Sequence, residues 1–344
     1  MKRLIAILGA IALLCCCAQR IDNVPADHPC IRIEGARHID FADGKATIER
    51  IDPDLFGPKD FRISYPVAMA PSGVRILFRT DSPEIRLLFE RRPEGKWRES
   101  TWYYGVYCDG EFLGDVPGKD PVIKAPSKGM HEYRVVLPIM NPEIFCGISF
   151  DGKARIKAAR TQSRPVYFAI GDSITHGTGQ TDHGSQISWP FIVAEEHGYD
   201  LYNLAVGASQ ISPGIVEELK DIKASVITIM WGYNDWNGTK GDLEEISDRY
   251  TKLLEGLVEV QPDAEIYCVM YGVTKNEAGK ENYGCTLQEV RDAETAIAGR
   301  FAAEGYKVHA IDGLHFITEE GLADACHFNN AGARDFGTSV SAAL

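Results

Sequence analysis

The stretch Val166-Tyr-Phe-Ala-Ile170 followed by Gly171-Asp172-Ser173 decides the fold of the carboxyl-terminal half of this chain. Its five apolar or aromatic residues predict a buried strand, and Gly171 and Asp172 predict a sharp turn directly after it. A serine on such a turn can expose its hydroxyl as a nucleophile. Because Gly-Asp-Ser alone is common by chance, this interpretation depends on what the rest of the chain supplies.

Beyond Pro165 the chain alternates short apolar runs with helical patterns. Helix starts are indicated by Ser188, by Ser212-Pro213 and by the capping-box signature Thr286-Leu-Gln-Glu289. Strands are predicted at residues 166–170, 202–205, 226–230, 265–270 and 307–311. Alternating strands and helices predict a parallel sheet covered on both faces, so residues 165–344 are interpreted as an α/β domain.

Residues 37–160 follow a different pattern, in which polar and apolar residues alternate with the period of a strand. Strands are expected at 61–65, 74–79, 85–89 and 133–137, and Asp109-Gly110 predicts a two-residue hairpin turn. No amphipathic helix is apparent in this region. The segment is therefore predicted to be an antiparallel β-sandwich with jelly-roll-like strand order.

The amino terminus is typical of an export signal. Met1-Lys-Arg3 is basic, residues 4–14 are apolar but too short to span a membrane, and Cys15-Cys-Cys17 follows. Residues 1–17 are predicted to be a signal peptide, with a lipoprotein signal as an equal alternative, and residues 18–36 a linker. The expected location is periplasmic, outer-membrane or secreted in a bacterium, with membrane contact only through an amino-terminal lipid.

Charge and cysteine content narrow the classes of function. The chain carries 36 basic and 49 acidic residues, and loss of Lys2 and Arg3 with the signal makes the net charge about −15. This excess of acid argues against nucleic-acid binding and favours a neutral substrate. The six cysteines after the signal show no zinc-ligand spacing, so mostly buried thiols are expected, with room for one or two disulfides.

Several polar segments follow the predicted strands of the second domain. In open α/β sheets, ligands bind outside the carboxyl ends of the strands, so these segments should meet at one edge. Besides Ser173, they are the loop with Gly207, the run Trp231-Gly-Tyr-Asn234-Asp235, and Asp324-Ala-Cys-His327. The sequence therefore predicts one site at this edge.

The residue types at this edge suit acyl transfer by a serine. A serine hydroxyl needs a base, for which His327 is the candidate, and Asp324 can orient the imidazole ring and stabilise its protonated form. The developing oxyanion needs donors, which the N–H groups of Ser173 and Gly207 and the amide of Asn234 can provide. This chemistry requires no cofactor and no metal.

These blocks resemble those of the SGNH hydrolases, also called the GDSL family, whose four motifs are similar to Gly171-Asp172-Ser173-Ile174, the Gly207 block, Gly232-Tyr233-Asn234-Asp235 and Asp324-x-x-His327. The resemblance runs from Val166 to the carboxyl terminus and implies a flavodoxin-like three-layer domain. The last block reads Asp-Ala-Cys-His-Phe where the family commonly has a proline after the histidine. A sandwich ahead of such a domain also resembles two-domain acetylxylan esterases.

The expected activity is that of an exported serine esterase that removes acyl groups, chiefly acetyl, from an oligo- or polysaccharide. Trp231, Trp236 and Trp102 are candidates for stacking on sugar rings. The alternatives are a lipase or lysophospholipase, a sugar O-acyltransferase using the same residues, and a glycan-binding protein without turnover. His176 and His183 are expected to be exposed loop residues, and His315 is a rival base.

Overall fold

The structure is a computed structural model that describes residues 20–344. The predicted signal peptide at 1–17, including its three cysteines, lies outside the described residues. The described chain forms an amino-terminal β-sandwich and a carboxyl-terminal α/β domain, which confirms the predicted fold class. Along residues 20–344, no helix combines the length and the apolar character needed to cross a membrane.

Two antiparallel sheets make up the amino-terminal domain. The first has the order β3-β4-β11-β6-β9, with β1 paired to β11, and the second has the order β12-β5-β10-β7-β8, with β2 paired to β5. The strands are β1 Ile21–Val24, β2 Arg32–Glu34, β3 His38–Ala42, β4 Lys45–Glu49, β5 Arg75–Thr80, β6 Glu84–Arg91, β7 Tyr103–Cys108, β8 Glu111–Pro117, β9 Val122–Lys124, β10 His131–Val136, β11 Glu143–Ala154 and β12 Ile156–Lys157.

Two expectations for this domain are wrong. The predicted linker at 18–36 already belongs to the sandwich from Ile21 onward, because β1 pairs with β11 and β2 with β5. The predicted strand at 61–65 is instead irregular chain leading into the short helix α1, Tyr65–Ala68, where Pro66 fits the first turn. The predicted hairpin at Asp109-Gly110 is confirmed: both residues have positive φ, and they join β7 to β8.

The carboxyl-terminal domain contains a five-stranded parallel sheet in the order β14-β13-β15-β16-β17. Every residue of β15 is buried, as expected for a strand covered on both faces. The strands are β13 Val166–Gly171, β14 Asp200–Asn203, β15 Val226–Met230, β16 Glu265–Val269 and β17 Val308–Ile311. The helices are α2 Ser173–His176, α3 Trp189–His197, α4 Tyr233–Gly238, α5 Leu243–Val260, α6 Leu287–Ala303 and α7 Asn330–Ala343.

The ends of the helices follow the local signals in the sequence. Ser188 precedes α3, and Thr286 with Glu289 forms the predicted capping box of α6. Asn329 caps α7, since its Oδ1 accepts the N–H groups of Ala331 and Gly332 in the first turn. The helix predicted after Ser212 is a 3-10 helix, Pro213–Leu219.

The two domains share a buried interface. The guanidinium of Arg50, in the sandwich half, is 1% exposed and donates to the carbonyl oxygens of Asn203 and Ala205, the latter at 2.9 Å. Arg75 of β5 donates to the carbonyl oxygen of Leu201 at 2.8 Å and pairs with Asp200. Because these bonds join the sandwich to β14 and to Ala205 just after it, the sandwich helps to fix the loop that follows this strand.

The cysteines agree with the expectation of mostly buried thiols. Cys108, Cys268, Cys285 and Cys326 are buried free thiols, Cys146 is a half-buried one, and Cys30 is buried in the sandwich core.

Candidate active site

The nucleophile candidate lies where β13 ends. A Cβ added at Gly171 would lie 2.5 Å from the carbonyl oxygen of Met230, so only glycine allows the strand to pass its neighbour there. Asp172 caps the short helix α2 by accepting the N–H of Ile174 at 3.0 Å. Ser173, the first residue of α2, is 8% exposed. The turn therefore holds its hydroxyl at the carboxyl edge of the sheet.

Ser173, His327 and Asp324 form a continuous series of hydrogen bonds. The Ser173 Oγ to His327 Nε2 distance is 2.8 Å, and the His327 Nδ1 to Asp324 Oδ2 distance is 2.7 Å. An ionised carboxylate only accepts, so Nδ1 carries the proton and Nε2 offers its lone pair to the serine hydroxyl. The structure thus brings together all three predicted residues in the arrangement that a serine nucleophile with a histidine base requires.

Asp324 is held as a carboxylate. Although partial desolvation acts to raise the pKa of Asp324, the N–H groups of Cys326 and His327 and the ring of His327 lower it to about 2. These N–H groups lie 3.0 Å and 2.9 Å from Asp324 Oδ1. Two backbone bonds therefore orient the carboxylate before it meets the ring.

The donors predicted for an oxyanion are only partly in place. Asn234 uses one amide hydrogen on the carbonyl oxygen of Ser209, at 3.0 Å, which leaves the other for a ligand. The prediction for Gly207 is wrong in this structure, because its N–H donates to His176 Nδ1 at 3.0 Å. The N–H groups of Ser173 and Ala208 have no acceptor within residues 20–344.

Ala208 is a site residue that sequence reasoning missed. It is exposed and has a φ of 62°, in the left-handed region that an alanine rarely occupies. Such a conformation costs about 1–2 kcal/mol and persists only where the surroundings enforce it. The sequence offered one signal, the neighbouring Gly207, but not which of the two N–H groups would be free.

His176 is buried, against the expectation of an exposed loop residue. Its Nδ1 accepts the Gly207 N–H, and its Nε2 donates to the carbonyl oxygen of Ile139 at 2.9 Å. Burial chiefly, and then the positive charges of Arg50 and Arg98, lower the pKa of His176 well below its usual value, so the ring is neutral. This ring connects the nucleophile helix, the Gly207 loop and the sandwich.

Three buried carboxyl groups lie behind the nucleophile. Desolvation, opposed by the Ile174 N–H and reinforced by Asp235, raises the pKa of Asp172 to about 7. Desolvation likewise raises the pKa of Asp235 to about 6, and both of its oxygens accept the N–H of Ile211. Burial raises the pKa of Glu294 well above its ordinary value. Asp172 thus caps α2 and Asp235 holds the chain at Ile211, whereas Glu294 of α6 has a buried oxygen without a hydrogen-bond partner among the described residues.

The structure contradicts two of the predicted sugar contacts. Trp231 is 2% exposed and Trp236 is 0% exposed, so neither ring can stack on a substrate. Trp231 Nε1 donates to Ser209, and Trp236 Nε1 donates to the carbonyl oxygen of Cys285 at 2.8 Å. Both were attractive because they flank Asn234 in sequence. Trp102 is half-buried at the sandwich surface against Trp97, and its sugar contact stays a prediction.

The other histidines do not take part in the series. His183 Nδ1 pairs with Asp115 Oδ2 at 2.5 Å. His315 is exposed among residues that follow β17 and has no bond to Ser173. Of the candidates, His327 alone contacts the serine hydroxyl.

Within residues 20–344, two groups of side chains have ligand atoms close enough for a metal ion. One group, Asp324 with Cys326 and His327, includes two members of the hydrogen-bonded series, and both ring nitrogens of His327 are already engaged there. In the other, Cys108 with Asp109 and His131, the ring Nδ1 bonds Asp109 Oδ2 at 2.6 Å. A metal at either place would have to displace these hydrogen bonds.

Comparison with known proteins agrees with this geometry. Residues 169–334 match the model of the GDSL-like lipase/acylhydrolase family. No curated protein matches the sequence.

Solved structures extend the likeness to both domains. A salicylyl-acyltransferase, SsfX3, from a tetracycline biosynthetic pathway has a TM-score of 0.78 at 21% identity, over 94% of this chain and 96% of that chain. A family two carbohydrate esterase from Clostridium thermocellum, in complex with cellohexaose, has a TM-score of 0.64 at 17% identity, over 91% and 97%. An acetyl xylan esterase from the rumen bacterium Butyrivibrio proteoclasticus has 0.60 at 13% identity, over 91% and 95%. At these identities the likeness is one of fold.

Proposed function

We propose that this protein is an exported serine esterase that removes acetyl groups from a carbohydrate, since residues 169–334 match the model of the GDSL-like lipase/acylhydrolase family. The observation that carries the proposal is the series of hydrogen bonds from Ser173 through His327 to Asp324, at 2.8 Å and 2.7 Å. This arrangement is the one that acyl transfer by a serine with a histidine base requires.

In the proposed reaction, Ser173 Oγ attacks the ester carbonyl carbon while His327 Nε2 takes the hydroxyl proton. The imidazolium that forms is stabilised by the carboxylate of Asp324, and it then returns the proton to the leaving sugar oxygen. The oxyanion lies among the N–H groups of Ser173 and Ala208 and the amide of Asn234. Water, deprotonated by His327, then hydrolyses the acyl-enzyme and releases the acid and the serine.

A short acyl group is supported by the surroundings of Gly207. A Cβ added there would lie 3.3 Å from Val67 Cγ1 and 3.8 Å from Met140 Cε, so side chains of the sandwich half close the space beside this loop. A long acyl chain would have to displace them. The carbohydrate part of the proposal is supported by the fold shared with two carbohydrate esterases.

Acyl transfer to an alcohol other than water is a second candidate, favoured by the fold shared with a salicylyl-acyltransferase. The acyl-enzyme would be the same, and only the acceptor would differ. Adding a sugar alcohol to the assay separates the two, because a transferase makes a new ester where a hydrolase releases free acid.

Export is part of the proposal, and it is supported by the basic start at Met1-Lys-Arg3 and the short apolar segment at 4–14. Fractionation of a bacterium that expresses the full chain, with mass spectrometry of the mature amino terminus, tests both export and lipidation. A cytoplasmic protein that retains Met1 would refute this part.

The enzymatic test measures acetate release from a panel of acetylated glycans, with a phospholipid as control, for wild type and Ser173→Ala. We expect release from at least one glycan by wild type only. On 4-nitrophenyl esters, kcat/KM should fall from acetyl through butyryl to octanoyl. A rise toward octanoyl would favour a lipase, and glycan binding without any turnover would favour a binding protein.

A further inference from the structure

A segment of the sandwich, residues 96–103, adjoins the Gly207 loop. The N–H of Lys96 donates to the carbonyl oxygen of Pro66 at 3.1 Å. The next residue, Val67, is the one that lies against Gly207. This end of the segment is therefore anchored beside the loop that carries Ala208, one of the proposed oxyanion donors.

The same segment also adjoins the loop that carries the histidine. The carbonyl oxygen of Ser100 accepts the N–H of Asp182 at 3.0 Å. Three residues before Asp182, a Cβ added at Gly179 would lie 2.8 Å from the Cβ of His327. With one anchor on each side, residues 97–99 run between the loop beside Gly207 and the loop that adjoins His327.

Arg98 stands between these anchors on a fixed backbone. Its N–H donates to Asn141 Oδ1 at 2.6 Å, and its carbonyl oxygen accepts from Asn141 Nδ2 at 2.9 Å and from Thr101 Oγ1 at 2.9 Å. Asn141 is 0% exposed and follows Met140, the other neighbour of Gly207. The position of Arg98 is thus set by buried polar contacts.

The guanidinium of Arg98, in contrast, is unused. It is exposed and has no hydrogen bond or ion pair with any part of the chain from residue 20 onward. Arg92, six residues earlier, is in contrast buried and bonds Glu49 at 2.8 Å, and Arg91 lies over the ring of Trp97. Arg98 is also near enough to contribute to the charge felt by the buried His176.

We propose that Arg98 binds a carboxylate of the acylated substrate, so that the enzyme selects acidic over neutral esters. A guanidinium donates two parallel hydrogen bonds to a carboxylate, which fixes orientation as well as charge. The chain as a whole has a net charge of −13 and therefore repels anions. An unpaired arginine between the two loops would counteract this repulsion locally and attract a carboxylate. The proposal rests on the proposed esterase function and names its substrate class. It replaces the neutral substrate expected from the composition.

The test compares wild type with Arg98→Gln on matched esters. These are an acetylated methyl glucuronoside, its carboxyl methyl ester, the hemisuccinate of a neutral sugar, and 4-nitrophenyl acetate. Loss of a charge-assisted pair should lower kcat/KM for a carboxylate-bearing ester by about 10- to 100-fold, while the uncharged esters change by less than about two-fold. Arg98→Lys should restore part of the loss. Arg86→Gln, an exposed arginine on β6, is the matched control and should leave all four substrates unchanged.

The outcomes are distinct. A selective loss on the glucuronoside places the carboxylate on the sugar, and a selective loss on the hemisuccinate places it on the acyl group; either supports the proposal. Equal loss on charged and uncharged esters would make Arg98 structural, and no loss on any ester would remove its role, so both overturn it. If wild type hydrolyses none of the four, it is the proposed function that fails.

Discussion

The buried ring of His176 gives the sharpest test of how this site is built. His176→Ala would remove both of its hydrogen bonds and leave the Gly207 N–H and the Ile139 carbonyl oxygen without partners. Both residues are buried, so water cannot replace the ring without entering the core. Each unsatisfied buried group costs about 1–3 kcal/mol, which gives a loss of about 2–6 kcal/mol before the cavity is counted. Since a domain is stable by only about 5–15 kcal/mol, this variant should be close to unfolding.

Two milder variants separate the effect of His176 on the stability of the protein from its effect on the position of the Gly207 loop. His176→Asn places an oxygen near the position of Nδ1 and can still accept from Gly207, whereas His176→Gln places an amide near Nε2 and can still donate to Ile139. Each loses one bond, so urea unfolding should show comparable losses of about 1–3 kcal/mol. If the ring positions the Gly207 loop, kcat/KM for 4-nitrophenyl acetate should fall about 10-fold or more in His176→Gln, and much less in His176→Asn.

The pH dependence of the free energy of unfolding provides a second measurement of the role of His176. The folded protein keeps His176 neutral, whereas in the unfolded chain the ring takes up a proton near its ordinary pKa of 6.5. The unfolded state then binds more protons, so this group stabilises fully above pH 6.5 and loses up to about 1.4 kcal/mol per pH unit below it. Both amide variants should lack this slope. His197→Gln, an exposed histidine, is the control. Equal kcat/KM in the Asn and Gln variants, with wild-type pH dependence, would refute the positioning role.

Three further variants test the nucleophile, the oxyanion donor and a buried carboxyl group. Ser173→Ala should lower kcat/KM by about six orders of magnitude and abolish labelling by a serine-reactive phosphonate; labelling that survives would exclude Ser173 as the nucleophile. Asn234→Ala should lower kcat by about 100- to 1,000-fold at little change in KM, and a change confined to KM would exclude an oxyanion role. Glu294 keeps its proton when folded but ionises when unfolded above about pH 4.5, so it destabilises as pH rises. Glu294→Gln cannot ionise, and its stability relative to wild type should increase between pH 5 and pH 8; a pH-independent difference would contradict this.

Much of the α/β domain could be predicted because its signals are local. The strand at 226–230 is apolar apart from Thr228 and is buried throughout, and the capping box of α6 is formed by the two residues that the pattern indicated. Ser173, Asp324 and His327 could be placed together because each follows a parallel strand, and the carboxyl ends of such strands meet at one edge. Topology brought these residues within reach of one another, and local sequence identified them.

What the sequence did not reveal depends on contacts between distant residues. The position of Trp231 and Trp236 beside Asn234 in sequence predicts that they lie in the cleft. In the structure Trp231 precedes the helix Tyr233–Gly238 and Trp236 lies within it, and both side chains point into the core. The imidazole of His176, 31 residues away in sequence, accepts the N–H of Gly207, and so the N–H of Ala208 is the one left for a ligand. Similarly, the sequence predicts a linker where β1 and β2 lie, because three or four residues carry too weak an alternation to indicate a strand without its partner.

The sandwich is better understood as one wall of the active site than as a separate module. Arg50 donates to the backbone after β14, the carbonyl oxygen of Ile139 holds His176, and the side chains of Val67 and Met140 close the space beside Gly207. All four residues precede the parallel sheet, yet each acts on the loop that lies beside the nucleophile. Parallel strands can bring Ser173, Asp324 and His327 to one edge, but they do not fix the loop between them. In this protein that constraint comes from the first domain, so changes in the sandwich should alter catalysis without touching any of the three hydrogen-bonded residues.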